Sequence, residues 1–538
     1  MFMQRLVFLA VLFFAGLLGN TRQLIAAPPT ITSYFPAGVQ KGTSQSVTLT
    51  GSWTKWPVDI DGEFPEGITV KAQADEGVLE FTVAETVASG PYYFRVYDGE
   101  GASILVPLVV GSIAEIIEQE PNAKLGEWKT IELPATLNGQ LKESGDVDIV
   151  GVNLAAGESI SVMVIANNLL GSPMDGILQV ADERGFVVAQ NDDERNIDPQ
   201  LSYTASREGT YQIRLFAFPT TPNSTIGFSA AATYVYRMTL TKQKFLDYCL
   251  PLSLNSNTAA IQPVGLGFNG ESLEVGVAAN GYLSLPGVPG SVAIPIFAGK
   301  VLAVPKPAKD APILQATVPV SLSGVLNERA EKHVVQLNEL KKDTALSVKA
   351  YARRLGFPTD PYLQIADANG VVLHTLDDKS RDERDPEFIY KVPADGNFQL
   401  SIRDLHRQGG TRFAYRVDVE VDSPKIEMSV DRGELLKTKE NLLIPLTIVR
   451  TAGFDKVMEV SLNGLPEGLS ANVVKSEATG NSSKKVQLVL KGNPQAYSGP
   501  VTIVGTYEGG GIEAHYTVKN SALIRNRFWL TVLPAADE

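Results

Sequence analysis

Apolar and polar residues alternate along most of this chain in short runs, and Gly, Pro, Asn and Asp break the runs apart. SVTLTG, YYFRVYDG, TYQIRL, SLEVGVAANGYLSL and KVQLVLKG all carry a period of two, which puts every second side chain on one face of an extended strand. The helical period is confined to two short segments, Ile113 to Ile117 and Leu337 to Lys342, and both are expected to form helical turns. Many short strands with closely spaced turn signals predict an all-β fold, a multi-domain array of β-sandwiches strung together.

Breaks in this pattern divide the chain. Residues 1–27 hold Arg5, an apolar run from Leu6 to Leu18 and the small pair Ala26 and Ala27, the layout of a secretory signal peptide. An uncleaved anchor is the alternative, since Pro28 follows the expected cut. No later stretch is long and apolar enough to span a bilayer, so no membrane span is expected after signal cleavage. Pro-rich breaks then give modules at 28–112, 113–242, 243–305, 306–422 and 423–538.

Two of these modules repeat. PMDGILQVADERGFVVAQNDD matches PTDPYLQIADANGVVLHTLDD at a constant offset of 185, as in Asp175 to Asp360, Asp182 to Asp367 and Asp193 to Asp378. The match continues in LNGQL against LSGVL, REGTYQIRL against ADGNFQLSI, and YVYRMTL against FAYRVDV. Two copies of one domain therefore bracket a smaller insert.

Charge and composition narrow the partner. Lys and Arg total 47 against 60 Asp and Glu, a net charge of -13, which argues against a nucleic-acid partner, since that would need a basic face, and favours a cationic partner or ion. Cys249 is the single cysteine, so no disulfide can form within the chain. Lying among the apolar residues of LDYCLPL, it reads as a buried structural thiol.

Catalytic patterns are missing. His333, His374, His406 and His515 form no HExxH, and no GxSxG occurs. GLGFNG is followed by a strand pattern rather than a helix and reads as a glycine-rich hairpin. Asp382 and Glu383 lie in a mixed-charge loop, and NDD (191–193) reads as a turn. The expectation is a protein that is not an enzyme. Tyr92, Tyr93 and Tyr97 are candidate contact residues; Tyr93 and Tyr97 share a face opposite to Tyr92, so at least one of these sets is expected in the core.

One short stretch suggests chemistry. In EQEPN, alternate side chains of an extended chain share a face, so Glu118, Glu120 and Asn122 fall together, and Pro121 biases the preceding residue toward an extended conformation. Such a set is either an acidic linker dissolved in water or a reach for a cation.

EQEPN, TLNGQL, GDVDIVGVNLAAGESISV, LGSPMDGILQVADERGFVVAQNDD, DPQLSYTASREGTYQIRL and YVYRMTL, in this order, resemble the bacterial pre-peptidase C-terminal (PPC) domain. The second copy resembles it more loosely. The modules near Pro28 and Lys244 look like IPT/TIG-type immunoglobulin-like domains, and the last looks like a generic immunoglobulin-like domain. The resemblance implies jelly-roll-type and immunoglobulin-like sandwiches in a secreted, periplasmic or cell-surface protein. It implies a non-catalytic binding or adhesion role toward an extracellular protein or polysaccharide. The alternatives are an accessory component of a secreted peptidase, or a hydrolase without a recognisable motif. In calcium-binding members of the family, the matching positions here would be Glu118, Glu120, Asn122, Asp146 and Asp148, with Ca²⁺ as the cofactor. Ala123 departs from the family pattern. At an offset of 185 the second copy carries Ala303, Pro305 and Pro307, with Glu331 and His333 for the two aspartates, so no ion is expected there.

Overall fold

The structure, a computed structural model, describes residues 27–124, 127–221, 227–255, 260–275, 281–309, 311–438, 440–492, 495–518 and 523–533. The expected signal peptide lies outside the described residues, apart from Ala27. The fold is nearly all β, arranged as an array of β-sandwich domains. Both segments expected to be helical are strands. Ala114–Ile117 pairs in parallel with Ala135–Gln140, and Lys332–Leu340 buries alternate residues from His333 to Leu337. Sheet partners override a weak local period over so few residues.

The two repeated segments share one strand order. In the first, Ala114–Ile117, Ala135–Gln140, Val235–Thr241, Ser159–Ile165 and Gln200–Thr204 form one sheet; Asp148–Leu154, Gly209–Pro219, Met174–Ala181 and Val187–Asn191 form the other. In the second, Lys300–Ala303, Val320–Val325, Ala414–Val421, Ala345–Tyr351 and Glu387–Lys391 take the places of the first sheet in the same order. The facing sheet again follows the order of the first copy, with Leu314–Ala316 added at its edge. Each sandwich closes over its own apolar core. Strand Lys300–Ala303, which the sequence division leaves with the insert, belongs to the second sandwich.

A short helical turn follows an inner strand in each copy, at Asn167–Leu170 and Arg353–Leu355. Its free N–H groups are satisfied from across the domain. Asp198 accepts from the backbone of Ala166, Asn167 and Asn168, and Asp385 accepts from Ala352, Arg353 and Arg354. A buried carboxylate receiving several N–H groups holds such a turn in place.

The modules pack on one another instead of hanging as separate beads. Arg527 pairs with Asp61 at 2.8 Å and Arg525 with Glu63 at 2.7 Å, which joins the last module to the first. Arg95, 2 % exposed, lies between Asp61 and Glu434 and over the Trp529 ring. Tyr92 and Tyr93 are buried and Tyr97 stacks on Trp529, so these three side chains serve the cores and this junction. Asp247 of the insert takes Arg195 from the first repeat and Arg412 from the second, and Glu194 also holds Arg412. Among the described residues no helix is long and apolar enough to cross a membrane.

Candidate metal centre

The site sits where the lead-in segment meets the first repeated sandwich. Glu118 extends the edge strand by one step, its N–H donating to Asn138 O at 3.0 Å. Asp148 opens a strand of the facing sheet, and Tyr236 stands on the strand beside Ala135–Gln140. The sandwich interior brings them together: Tyr236 Oη donates to Asp148 Oδ2 at 2.7 Å and lies 3.3 Å from Glu118 Oε2. Gly139 makes room for this contact, because a Cβ there would overlap the Tyr236 ring and Glu118.

One carboxylate oxygen from each of Glu118, Glu120 and Asp148 lies within 4.8 Å of the others. Asp148 is 1 % exposed and Asn122 5 % exposed, whereas Glu120 faces solvent. Among the described residues Asp148 Oδ1 and Asn122 Oδ1 are buried without a hydrogen-bond partner. Buried acceptors are ordinarily satisfied; Asn138 Oδ1, Asp360 Oδ1 and Asp378 Oδ1 share this lack, and what sets Asp148 apart is its place among three clustered carboxylates. Asp146 is not among the three clustered carboxylates; it accepts from Lys142 N at 2.9 Å and closes the turn ahead of Asp148.

Crowded carboxylates in a dry site resist ionising together. Burial, then the Asp148 charge, pushes the Glu118 carboxyl up to about 9. Burial raises Asp148 to about 6, while hydrogen bonds from Tyr236 and Glu118 pull against that rise. Glu120 is raised by burial and by Asp146. The nearest cation in the cluster, Lys142 Nζ, is 4.0 Å from Glu118 and half exposed. The donors are all oxygen and carry excess negative charge, which fits a hard cation that takes six to eight oxygens at about 2.3 to 2.6 Å. A softer metal would want sulfur or imidazole.

The equivalent place in the second copy is built differently. Backbone pairing shifts the correspondence by one residue from the constant offset: Val304 N donates to Ser323 O as Glu118 N does to Asn138 O. The counterparts of Glu118, Glu120 and Asn122 are thus Val304, Lys306 and Ala308, and none carries an acid. His333 fills the place of Asp148, with Nδ1 2.7 Å from Tyr415 Oη and Nε2 2.8 Å from Glu331 Oε1. Gly324 leaves the same opening that Gly139 does. Burial lowers the affinity of His333 for a second proton, with Glu331 opposing. The neutral ring therefore donates from Nε2 to the carboxylate and accepts the Tyr415 proton at Nδ1.

Tyr236 and Gly139 escape notice in the sequence, although both lie in the repeated words YVYRMTL and LNGQL. Elsewhere, GLGFNG forms turns with Gly267 at φ 73° and Gly270 at φ 84°, and strand Leu273–Glu274 follows it. Cys249 is fully buried, and burial pushes its thiol up to about 12.

No family model matches the chain, and no curated protein matches it. Among solved structures, the chain is similar to the pre-peptidase C-terminal domain of collagenase from Bacillus anthracis at 14% identity, over 23% of this chain and 100% of that one, with a TM-score of 0.17. It is similar to PliG of Aeromonas hydrophila, a periplasmic inhibitor of g-type lysozyme, at 13% identity, over 22% and 98%, with a TM-score of 0.13. It is similar to SGBP-B of the mixed-linkage glucan utilization locus of Bacteroides ovatus, solved with a heptasaccharide, at 12% identity, over 72% of each chain, with a TM-score of 0.14. The chain itself is a multi-domain all-β protein whose first repeat gathers three carboxylates at its lead-in segment.

Proposed function

We propose that the protein is an exported, non-catalytic binding protein of the cell envelope or extracellular space, in which Ca²⁺ fastens the lead-in segment to the first of two PPC-like sandwiches. Glu118, Glu120, Asn122 and Asp148 would hold the ion, and Asp146 would add negative charge close by. Bound there, calcium would act as a structural cross-link between the two sheets and the preceding chain. The observation that supports this reading is the gathering of Glu118, Glu120 and Asp148 oxygens within 4.8 Å of one another, with Asp148 Oδ1 buried and unpartnered. A solvated acidic linker would leave its oxygens to water. The partner would be an extracellular protein or polysaccharide, held by a surface of several modules locked together by Arg527–Asp61 and Arg412–Asp247.

Calorimetric titration of the full chain with Ca²⁺ tests the ion: one site is expected in the wild type and none in Asp148→Asn. No heat in the wild type refutes it. Capture of an envelope component by the full chain tests the binding role, and turnover of a peptide or glycoside substrate by the purified chain would overturn it.

A further inference from the structure

Trp53 and Trp56 lie in the loop between strands Ser44–Ser52 and Asp59–Gly62, which crosses from one sheet of the first module to the other. Both are partly exposed, and both rest against the module's core. Their ring centroids are 5.2 Å apart and the planes tilt by 51°. Each indole is anchored by its N–H: Trp53 Nε1 donates to Glu76 Oε1 at 2.7 Å, and Trp56 Nε1 to Gln73 O at 2.8 Å. The acceptors belong to the turn between Ile68–Ala72 and Val78–Val83. Gly77 in that turn, at φ 81°, lies close beneath Trp53, since a Cβ there would stand 3.3 Å from its ring.

We propose that this tryptophan pair is a binding platform for a neutral glycan, which supplies a ligand class and a site for the binding role proposed above and rests on that role. Two rings already fixed by hydrogen bonds lose little side-chain freedom on binding, the condition under which aromatic contact area yields affinity. The C–H face of a pyranose ring is apolar and slightly positive, complementary to the negative face of an indole. Thr54 and Lys55 on the loop and Gln73 on the turn are polar neighbours for the hydroxyls at the ring's edge. Charge selects against acidic polymers. Asp75, Glu76, Glu80 and Glu100 lie in the adjoining segments or bond to them, against Lys55 on the loop and Lys71 on strand Ile68–Ala72, opposite Glu80. A caged ammonium ion fits less well, because rings in contact at 5.2 Å leave no space for it between them. Among the described residues no Lys or Arg of the chain stacks on either ring, whereas Trp529 and Tyr93 are covered by Arg95, Arg525 and Arg527.

The test is affinity electrophoresis of the full chain through gels containing hydroxyethylcellulose, xylan, soluble starch or polygalacturonate, with tryptophan fluorescence as a second readout. At least one neutral polymer should retard the chain and shift its emission, and polygalacturonate should not. Trp53→Ala with Trp56→Ala should weaken retention at least tenfold, while Trp53→Phe, which keeps a ring, should retain most of it. Unchanged hydrogen-exchange protection across strands Ser44–Ser52 and Val78–Val83 shows that the first module of the variants is folded. Retention by none of the neutral polymers, retention undiminished in the double variant, or a fluorescence response to tetramethylammonium alone would each overturn the proposal. If the double variant still captures an envelope component as the wild type does, the platform fails and the binding role stands. If the wild type captures nothing, the binding role itself fails.

Discussion

The two repeated sandwiches place a tyrosine hydroxyl at the same point and give it opposite company. In the first copy Tyr236 meets two acids, Asp148 and Glu118, with a third, Glu120, near them; in the second Tyr415 meets His333, which is in turn held by Glu331. The glycine that makes room is retained in both, as Gly139 and Gly324. Histidine in place of Asp148, together with Val304 and Lys306 in place of Glu118 and Glu120, turns a cluster short of positive charge and donors into a closed chain of hydrogen bonds. The second site is complete as it stands, whereas the first has buried oxygens to spare. The same strand order thus surrounds the tyrosine with acids in one copy and with a histidine in the other, and under the proposal made above only the first would hold an ion.

The largest effect expected is calcium itself. A ligand that binds only the folded state at 100 times its Kd stabilises it by about 2.7 kcal/mol. Hydrogen exchange of the full chain should therefore slow across residues 114–154 when calcium replaces chelator, and stay unchanged across residues 300–340. Equal slowing in both copies would dissolve the contrast.

Breaking the second site should cost nearly as much, without regard to calcium. His333→Ala strands the buried Tyr415 hydroxyl and the Glu331 carboxylate, a loss of about 1–3 kcal/mol by denaturant melting. A drop that calcium restores would show that an ion had been overlooked there. The converse exchange, Asp148→His, places an imidazole beside Tyr236 and Glu118 and should abolish the calcium response while leaving the chelator-treated protein folded.

Acidity probes the same difference. Because Glu118 and Asp148 hold their protons more tightly folded than unfolded, these two groups bind more protons in the calcium-free native state than in the unfolded chain between about pH 4 and 9. Their contribution to stability, read as the difference between the wild type and Glu118→Gln with Asp148→Asn, should fall as pH rises through that window. Calcium should flatten the slope, since it takes the place of the protons, and its own affinity should weaken on acidification. A calcium-free difference between the wild type and that double variant that rises from pH 5 to 9 would contradict the burial of these carboxyl groups.

The smallest effect serves as a control. Asp198 and Asp385 cap equivalent turns in the two copies, so Asp198→Ala and Asp385→Ala should each cost about 0.5–2 kcal/mol and by similar amounts. A large disparity would mean that the copies differ in more than the ion site.

Much of the architecture was legible before any coordinates, because alternation with a period of two leaves few alternatives to half-buried strands. The repeat was legible too, through words such as LQVADERG and LQIADANG, whose aspartates accept two backbone N–H groups in each turn: Arg184 and Phe186 at Asp182, Asn369 and Val371 at Asp367. Packing decided two matters. The brief helical period at 113–117 lost to pairing along Ala135–Gln140, and of the three tyrosines of YYFRVYDG, at least one set of which was expected in the core, Tyr92 and Tyr93 are buried and Tyr97 meets Trp529 of the last module. Neither outcome is written in the local pattern.

By itself the chain's order of residues determined that it would be all β, that two of its domains would be copies, and that acids would gather near position 118. Those features depend on neighbours in sequence and on side chains two apart. Tertiary structure alone decided that Glu118 and Asp148 would share Tyr236, that Asp61 would meet Arg527, and that the counterpart of Glu118 would be Val304. Such pairings join residues far apart along the chain, and they arise only when sheets close over a core and bury charges that must find partners there.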